Sequence, residues 1–204
     1  ALEADRLAQE NVGLKRRASQ VIEPIGRSPV MQRLREQVKR VAQHDSWVLI
    51  SGEAGSGRET FARYLHAHSA RRDRPFIDVG VSSISKGNAA RELFGSEREG
   101  EIQYGRLEQA AGGTLFLDEI ADMDLEAQAQ LVGALDKRTF LRVGGSEPVN
   151  IDVRVIAATR RDLQQAVEHG AFREDLFYQL NVVPLVVPPL RDHREDIPEL
   201  LDNA

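Results

Sequence analysis

The chain has 204 residues, no cysteine and a formal net charge of −5 at pH 7. The lack of cysteine excludes disulfides and thiolate metal sites, and the acidic balance argues against a broad basic face for nucleic acid. No apolar run approaches the length of a membrane span and no signal peptide opens the chain, so we expect a cytoplasmic protein with no membrane partner. Since the chain opens on Ala1 without methionine, we interpret it as part of a larger protein.

The first segment, residues 1–22, is polar and rich in helix formers. Leu7 and Leu14 lie seven residues apart, which indicates a short coiled-coil or linker helix. A solvated surface helix is the alternative. From residue 24 onward the pattern changes, and helical spacing of apolar residues predicts a helix with an inward face at Met31, Leu34, Val38 and Val41.

Five short apolar runs bounded by turn residues predict strands, at 47–51, 75–79, 114–118, 153–159 and 182–187. Helical patterns lie between them, near 58–69, 88–95, 103–111, 125–136, 162–169 and 173–179. Near-continuous apolar strands that alternate with helices predict an α/β fold in which helices cover both faces of a parallel five-stranded sheet.

A glycine-rich turn, "SGEAGSGRET" (51–60), joins the first strand to a helix. Glycines let backbone N–H groups face a phosphate, and the helix N-terminus adds a favourable dipole. We therefore predict a phosphate-binding loop. Arginine stands where such loops carry lysine, and its longer, forked side chain cannot simply take the place of lysine. The predicted ligand-binding residues are Gly52, Glu53, Ala54, Gly55, Ser56, Gly57, Arg58, Glu59 and Thr60.

An acidic pair, Asp118 and Glu119, follows the apolar strand at 114–118. With a phosphate loop upstream, this is where one carboxylate orients magnesium and the next polarises the attacking water. A pair that merely caps a helix is the structural alternative. We predict that Asp118 is the metal ligand and that Glu119 is catalytic.

Ordered motifs after the first two dozen residues resemble the central AAA+ domain of bacterial enhancer-binding regulators, the NtrC-like activators of sigma-54 RNA polymerase. The motifs that carry the resemblance are "IGRSPVMQRL" (25–34), "GEAGSGRE" (52–59), "RELFG" (91–95), "GRLEQAAGGTLFLDEIADM" (105–123), "LRVGGSEPVNIDVRVIAAT" (141–159), "FREDLFYQLNVVP" (172–184) and "PPLRDHREDIPEL" (188–200).

The resemblance implies an AAA+ P-loop three-layer sandwich over residues 23–187 and the start of a helical lid over 188–204. It implies ATP or ADP with Mg²⁺, bound between subunits of a dimer or ring, with Ile25 and Gly26 bordering the adenine. Residues 1–22 would join this domain to a receiver domain, and DNA would be bound through a further C-terminal domain.

The remodelling loop of the family, "GAFTGA", should lie between the segments "RELFG" and "GRLEQA". The interval here is only "SEREGEIQY" (96–104), which is short, charged and lacks the motif. We therefore expect no contact with sigma-54. This departure resembles the divergent NtrX-like and VpsR-like response regulators.

Further departures fall on the hydrolysis machinery. Gly80 and Arg160 stand where the family usually has asparagines, and Gln179 stands where it has a second arginine finger. Arg173 is retained as a candidate finger, but losing one finger costs about 10³–10⁵ in rate. Together with Arg58, these substitutions predict weak or absent ATP hydrolysis.

The sequence thus favours a regulatory module of a DNA-binding transcription factor, in which a nucleotide controls oligomerisation and the output reaches RNA polymerase other than the sigma-54 form. An active sigma-54-dependent ATPase and a ligand-free scaffold are alternatives. A further alternative is a cyclic di-GMP-responsive regulator, because arginines stack on guanine and fork to its edges. The basic residues that suggest it are at 15–17 and 71–74, with Arg27 and Arg33.

Overall fold

The computed structural model of the chain describes residue 6 and residues 23–202. The linker helix predicted over 1–22 and the basic cluster at 15–17 lie outside these residues, apart from Arg6, and so does the end of the predicted lid at 203–204. Within the described part of the chain, no helix combines the length and apolar character that crossing a membrane requires.

The strands, in chain order, are β1 (Val48–Ser51), β2 (Phe76–Gly80), β3 (Ser96–Arg98), β4 (Glu101–Gln103), β5 (Thr114–Asp118), β6 (Thr139–Leu141), β7 (Pro148–Asn150), β8 (Arg154–Thr159) and β9 (Val183–Val186). The helices are α1 (Pro29–Ala42), α2 (Arg58–Ala67), α3 (Ala89–Phe94), α4 (Arg106–Gln109), α5 (Leu125–Lys137), α6 (Leu163–Glu168), α7 (Glu174–Leu180) and α8 (Ile197–Asp202).

A five-stranded sheet forms the centre of the fold, with the strand order β2-β5-β8-β1-β9. Every neighbouring pair is parallel. This confirms the predicted parallel sheet and all five predicted strands. Since the carboxyl ends of parallel strands share one edge, β1, β5 and β8 deliver their following loops to the same place.

Each strand buries side chains on both faces, which produces two separate cores. In β5, Leu115 and Leu117 belong to the core shared with α3 to α7, whereas Phe116 packs with α1 and α2. β8 divides in the same way, with Ala157 on one side and Ile156 on the other. The alternation explains the near-continuous apolar runs and confirms three layers, helices on either side of a sheet.

Side-chain caps set the start of the longer helices. The Ser28 hydroxyl accepts from the Met31 amide at 3.4 Å, and Pro29 takes the first helical position of α1, where its missing N–H costs nothing. The Asp124 carboxylate accepts from the Ala127 amide at 2.8 Å at the start of α5.

Two small hairpins, β3–β4 and β6–β7, stand beside the main sheet. The interval at 96–104 forms the first hairpin, whose two-residue turn places Glu99 (φ 52°) and Gly100 (φ 83°) in the left-handed region. Arg142 of the second hairpin makes two 2.8 Å hydrogen bonds to Glu108 and lies 3.6 Å from Glu97. The two hairpins are therefore fastened together.

The helix predicted over 103–111 is wrong in extent. Only Arg106–Gln109 is helical, because Glu101–Gln103 pairs with β3 instead. The helix predicted over 58–69 ends at Ala67, where a turn closed by the Ser69 hydroxyl bond to the His66 carbonyl follows. Strand pairing and turn chemistry override local helical pattern at both places.

Candidate functional site

The predicted phosphate loop runs from the end of β1 to the start of α2. Gly57 has φ 99°, a left-handed conformation that an L side chain rarely adopts. A Cβ on Gly52 would lie 2.6 Å from the Ser56 hydroxyl oxygen and 3.2 Å from the Val187 carbonyl oxygen, so a larger residue would force its neighbours to shift. Glu53, Ala54 and Gly55 form the exposed crest of the loop. The loop thus opens its backbone to solvent at the N-terminus of α2, the geometry that suits an anion.

Arg58 is the first residue of α2, and its side chain is only 8% exposed. Its Nη2 donates a hydrogen bond to Oε1 of Glu119 and lies 3.7 Å from Oδ1 of Asp118. Its Nη1 is buried and has no hydrogen-bond partner among the described residues. The guanidinium therefore lies against the two carboxylates at the end of β5.

Glu119 is held between two cations. Its backbone is left-handed (φ 57°, ψ 49°), an unusual state for a residue with a side chain, and its amide donates to Oδ1 of Asp118 at 3.0 Å. Arg58 binds Oε1, whereas Arg160 Nε lies 3.8 Å from Oε2, which has no hydrogen-bond partner. The carboxylate predicted to be catalytic is thus engaged by guanidinium groups on both sides.

Neighbouring groups make this end of the sheet strongly acidic. Burial, followed by the negative charge of Glu59, raises the pKa of Asp78 to about 6, although Arg63 opposes the shift. Burial is also the main cause that raises the pKa of Asp118. Arg63 offsets part of this charge, because it lies 3.1 Å from Glu59 and 3.9 Å from Asp78.

The magnesium ion expected at Asp118 does not fit this arrangement. Mg²⁺ needs oxygen ligands at roughly 2.0–2.1 Å in an octahedron. Beside a nucleotide it is usually held by one or two carboxylates together with phosphate oxygens and water, so its protein ligands must be free carboxylate oxygens. Here a guanidinium contacts both carboxylates, and Oδ1 of Asp118 already accepts the Glu119 amide.

A cavity of about 200 Å³ lies beside the loop. Its apolar wall suits the base of a nucleotide, and Ile25, predicted to border adenine, is part of it. Gly26 lies next to the cavity, where a Cβ would come 2.6 Å from Oδ2 of Asp196. The cavity is also lined by Ser56, Gly57, Thr60, Leu190 and His193.

Asp196 joins the two chain segments that flank the cavity. It is 1% exposed and accepts from the Arg27 amide (2.7 Å), the Ser28 amide (2.8 Å), the Ser28 hydroxyl (2.6 Å) and His193 Nδ1 (2.9 Å). Burial by itself would raise the pKa of Asp196, but the hydrogen bonds, first those from Ser28, lower it. Sequence reasoning missed this residue, because Arg27 and Ser28 lie 169 and 168 positions away.

A second link joins the loop to the segment after β9. Arg191 Nη1 and Nη2 each donate to one carboxylate oxygen of Glu53 at 2.8 Å. The pair lies in solvent at the crest of the loop. The "PPLRDHREDIPEL" motif thus contacts the site at Arg191, His193 and Asp196.

The family described as the Sigma-54 interaction domain matches residues 24–186. The chain belongs to this family. An NtrX from Azorhizobium caulinodans is 48% identical over 99% of this chain and 45% of its own length. A Bradyrhizobium NtrC is 48% identical over 87% of this chain and 38% of its own length.

A crystal structure of Brucella abortus NtrX in complex with ADP superposes on this sigma-54 interaction domain with a TM-score of 0.86 at 42% identity, covering 98% of this chain and 46% of that one. The structure of the same Brucella protein in complex with ATP superposes with a TM-score of 0.85. These relatives support the AAA+ fold and the NtrX-like subgroup. The chain spans less than half the length of the relatives it matches.

Arg173, the candidate arginine finger, is exposed on the surface. Its guanidinium pairs with Asp175 at 2.8 and 3.0 Å, and its amide donates to Oε1 of Gln128 at 2.8 Å. Gln179, on the following turns of α7, has a buried Oε1 without a hydrogen-bond partner. Gly80 pairs in register with Asp118, so the position of the family's asparagine is kept without an amide side chain.

Proposed function

We propose that this chain is the nucleotide-binding regulatory module of a cytoplasmic DNA-binding transcription factor and that it turns ATP over slowly or not at all. The observation that carries the proposal is the ion pair between Arg58 and Glu119. One side chain of the phosphate loop here neutralises the carboxylate that should activate water. Binding and hydrolysis are thereby separated.

Retained binding is supported by the loop. Ser56 Oγ and Arg58 Nη1 are buried polar groups without partners, and both belong to the segment that precedes or opens α2. A hydroxyl and a guanidinium N–H that lack acceptors are satisfied by an anion such as phosphate. Brucella NtrX, whose structures contain ADP and ATP, provides the nearest support for an adenine nucleotide.

Loss of turnover is supported by four positions. Glu119 must accept a proton from water through an oxygen that no cation holds, yet Arg58 and Arg160 approach its two oxygens. Gly80 has no side-chain amide that could position the Glu119 carboxylate. Gln179 is neutral, and a missing finger alone costs about 10³–10⁵ in rate.

The output is proposed to bypass sigma-54. The segment that carries the remodelling loop in relatives is a compact hairpin closed by Glu99 and Gly100. It is tied through Arg142 to the second hairpin, so it has little reach. Self-association as a dimer or ring would then pass the nucleotide signal to DNA-binding and polymerase-contacting parts outside this chain.

Arg71, in the basic cluster at 71–74, gives cyclic di-GMP no support. Arg71 makes hydrogen bonds of 2.9 Å to Asp45 and 3.1 Å to Asp152, and a further one to the Gly113 carbonyl. A guanidinium so engaged is not available to fork onto a guanine edge. Adenine nucleotides remain the favoured ligand.

Calorimetric titration with ATP and a phosphate-release assay on the same preparation test the proposal. We expect a saturable binding heat and phosphate release at background level. A Glu119→Gln variant should bind ATP as tightly as the original chain does. Its phosphate release should stay at the same background level. Rapid release that Glu119→Gln abolishes would refute slow turnover, and absence of any ATP heat would refute nucleotide binding.

A further inference from the structure

We infer that this chain binds its nucleotide without Mg²⁺, because the Arg58 guanidinium supplies the positive charge that the metal supplies in related sites. The inference rests on the proposed nucleotide binding and names the cation that accompanies it. It concerns binding alone and involves no chemical step.

The position of Arg58 is the first support. Its guanidinium contacts Glu119 and lies 3.7 Å from Asp118, the residues that would otherwise orient the metal. A divalent ion there would have to displace a buried, hydrogen-bonded guanidinium. The charge repulsion between Mg²⁺ and two guanidinium groups, Arg58 and Arg160, opposes that exchange.

The unpartnered Nη1 of Arg58 is the second support. The Arg58 side chain is more than nine-tenths buried, and Nη1 has no acceptor although Nη2 is bonded. An N–H donor left unpaired in the interior is unfavourable. Because Arg58 opens α2 directly after the phosphate loop, a phosphate oxygen in that loop would satisfy this donor and gain the N-terminal dipole of α2 as well.

Arginine suits this double role better than lysine. A guanidinium presents donors along several edges in a fixed plane, so one edge binds Glu119 while another remains for phosphate. An ammonium is a compact point charge and would have to choose between the carboxylate and the phosphate. Replacing Arg58 with lysine should therefore free Asp118 and Glu119 for a metal ion.

Two consequences can be separated by experiment. In the original chain, the dissociation constant for ATP should be nearly the same in millimolar MgCl₂ and in excess EDTA, within about threefold. In Arg58→Lys, affinity in EDTA should fall by about tenfold or more relative to MgCl₂, since the metal becomes the main counter-charge.

The probe is ATP itself, titrated calorimetrically into the whole chain. Arg72→Lys is the matched control, because Arg72 is exposed and, within residues 23–202, its side chain donates only to the Ser69 carbonyl. It should behave as the original chain in both buffers. Circular dichroism verifies that Arg58→Lys folds, and the EDTA comparison on the original chain tests the inference even if that variant does not.

The outcomes distinguish failure of Mg²⁺-independent binding from failure of the proposed nucleotide binding. Equal affinity in MgCl₂ and EDTA supports it. Binding in MgCl₂ that EDTA weakens tenfold overturns the inference and leaves the nucleotide-binding proposal intact. No binding in either buffer overturns both.

Discussion

Arg191 and Glu53, which are 138 positions apart in sequence, form a two-pronged ion pair across the mouth of the site. Glu53 lies on the crest of the phosphate loop, and Arg191 lies in the 3₁₀ turn Leu190–Asp192. Both side chains are more than half exposed, so solvent screens the pair and its contribution to stability is small. Its effect is to hold one segment against another.

Glu53→Gln should therefore leave the unfolding midpoint almost unchanged and speed amide exchange in the turns at 190–196. The amides of Asp192, His193 and Asp196 bond only within those turns, to Pro189, Leu190 and His193. Hydrogen-exchange mass spectrometry measures the change. Glu195→Gln, on an exposed residue of the same segment, should leave exchange unaltered, and equal exchange in all three proteins would show that the pair does not restrain the segment.

Asp196→Asn should destabilise the fold. The substituted amide keeps one oxygen acceptor but turns an NH₂ group toward donors from Ser28 or His193, so buried hydrogen bonds to a charged group are lost. We expect a loss of roughly 2–3 kcal/mol in unfolding free energy, measured by urea denaturation. Asp192→Asn, exposed four residues earlier, is the control and should change little.

Protonation of His66 should weaken the protein in mild acid. Its ring lies 2.8 Å from the Thr114 hydroxyl and 3.0 Å from the Arg74 carbonyl, and burial, aided by the charge of Arg154, lowers its pKa to about 4. Because the unfolded chain titrates near 6.5, the neutral ring contributes its full stability above that pH and loses it as the pH falls toward 4. The difference corresponds to roughly 3 kcal/mol.

The measurement is urea unfolding at several pH values between 7.5 and 4.5. Other groups titrate in this window, so His66→Gln is the comparison, and its stability should fall less steeply with acid. Parallel pH profiles for the two proteins would assign the acid sensitivity elsewhere.

Gln128→Leu should lower the unfolding free energy of the protein, because it breaks the contact between α5 and the backbone of Arg173. Gln128 is fully buried, donates to the carbonyls of Met123 (2.8 Å) and Ala171 (3.2 Å), and accepts from the Arg173 amide. Leucine preserves the volume but leaves those backbone groups unpaired, at a cost of about 2–3 kcal/mol. Gln130→Leu, exposed on the same helix, is the control; equal unfolding free energies for both would contradict the role of Gln128.

Much of the architecture was predictable because its cause is local. The runs at 114–118 and 153–159 are apolar at successive positions, as strands buried on both faces require, and each lies in the central sheet. The loop at 51–60 and the acidic pair were also predictable, since strand order brings β1 and β5 to one edge.

What the sequence did not reveal depends on distant partners. The residues next to Arg58 do not indicate that its side chain turns toward Glu119, 61 positions away. The residues next to Asp196 do not indicate that it binds Ser28, 168 positions away. Local pattern also predicted too long a helix at 103–111, because the pairing of Glu101–Gln103 with β3 is decided by the opposite strand.

The Asp196 carboxylate has a mechanical consequence for anything joined to this domain. Asp196 accepts hydrogen bonds from the segment at Arg27 and from His193, so it joins the two segments at one point. The cavity, which is large enough for a nucleotide base, is lined by Ile25 and Leu190 from these segments. Because one carboxylate bonds to both segments, a shift of the segment at Arg27 should also move the segment at His193. A ligand in that cavity would contact both segments, through Ile25 on one and through Leu190 and His193 on the other.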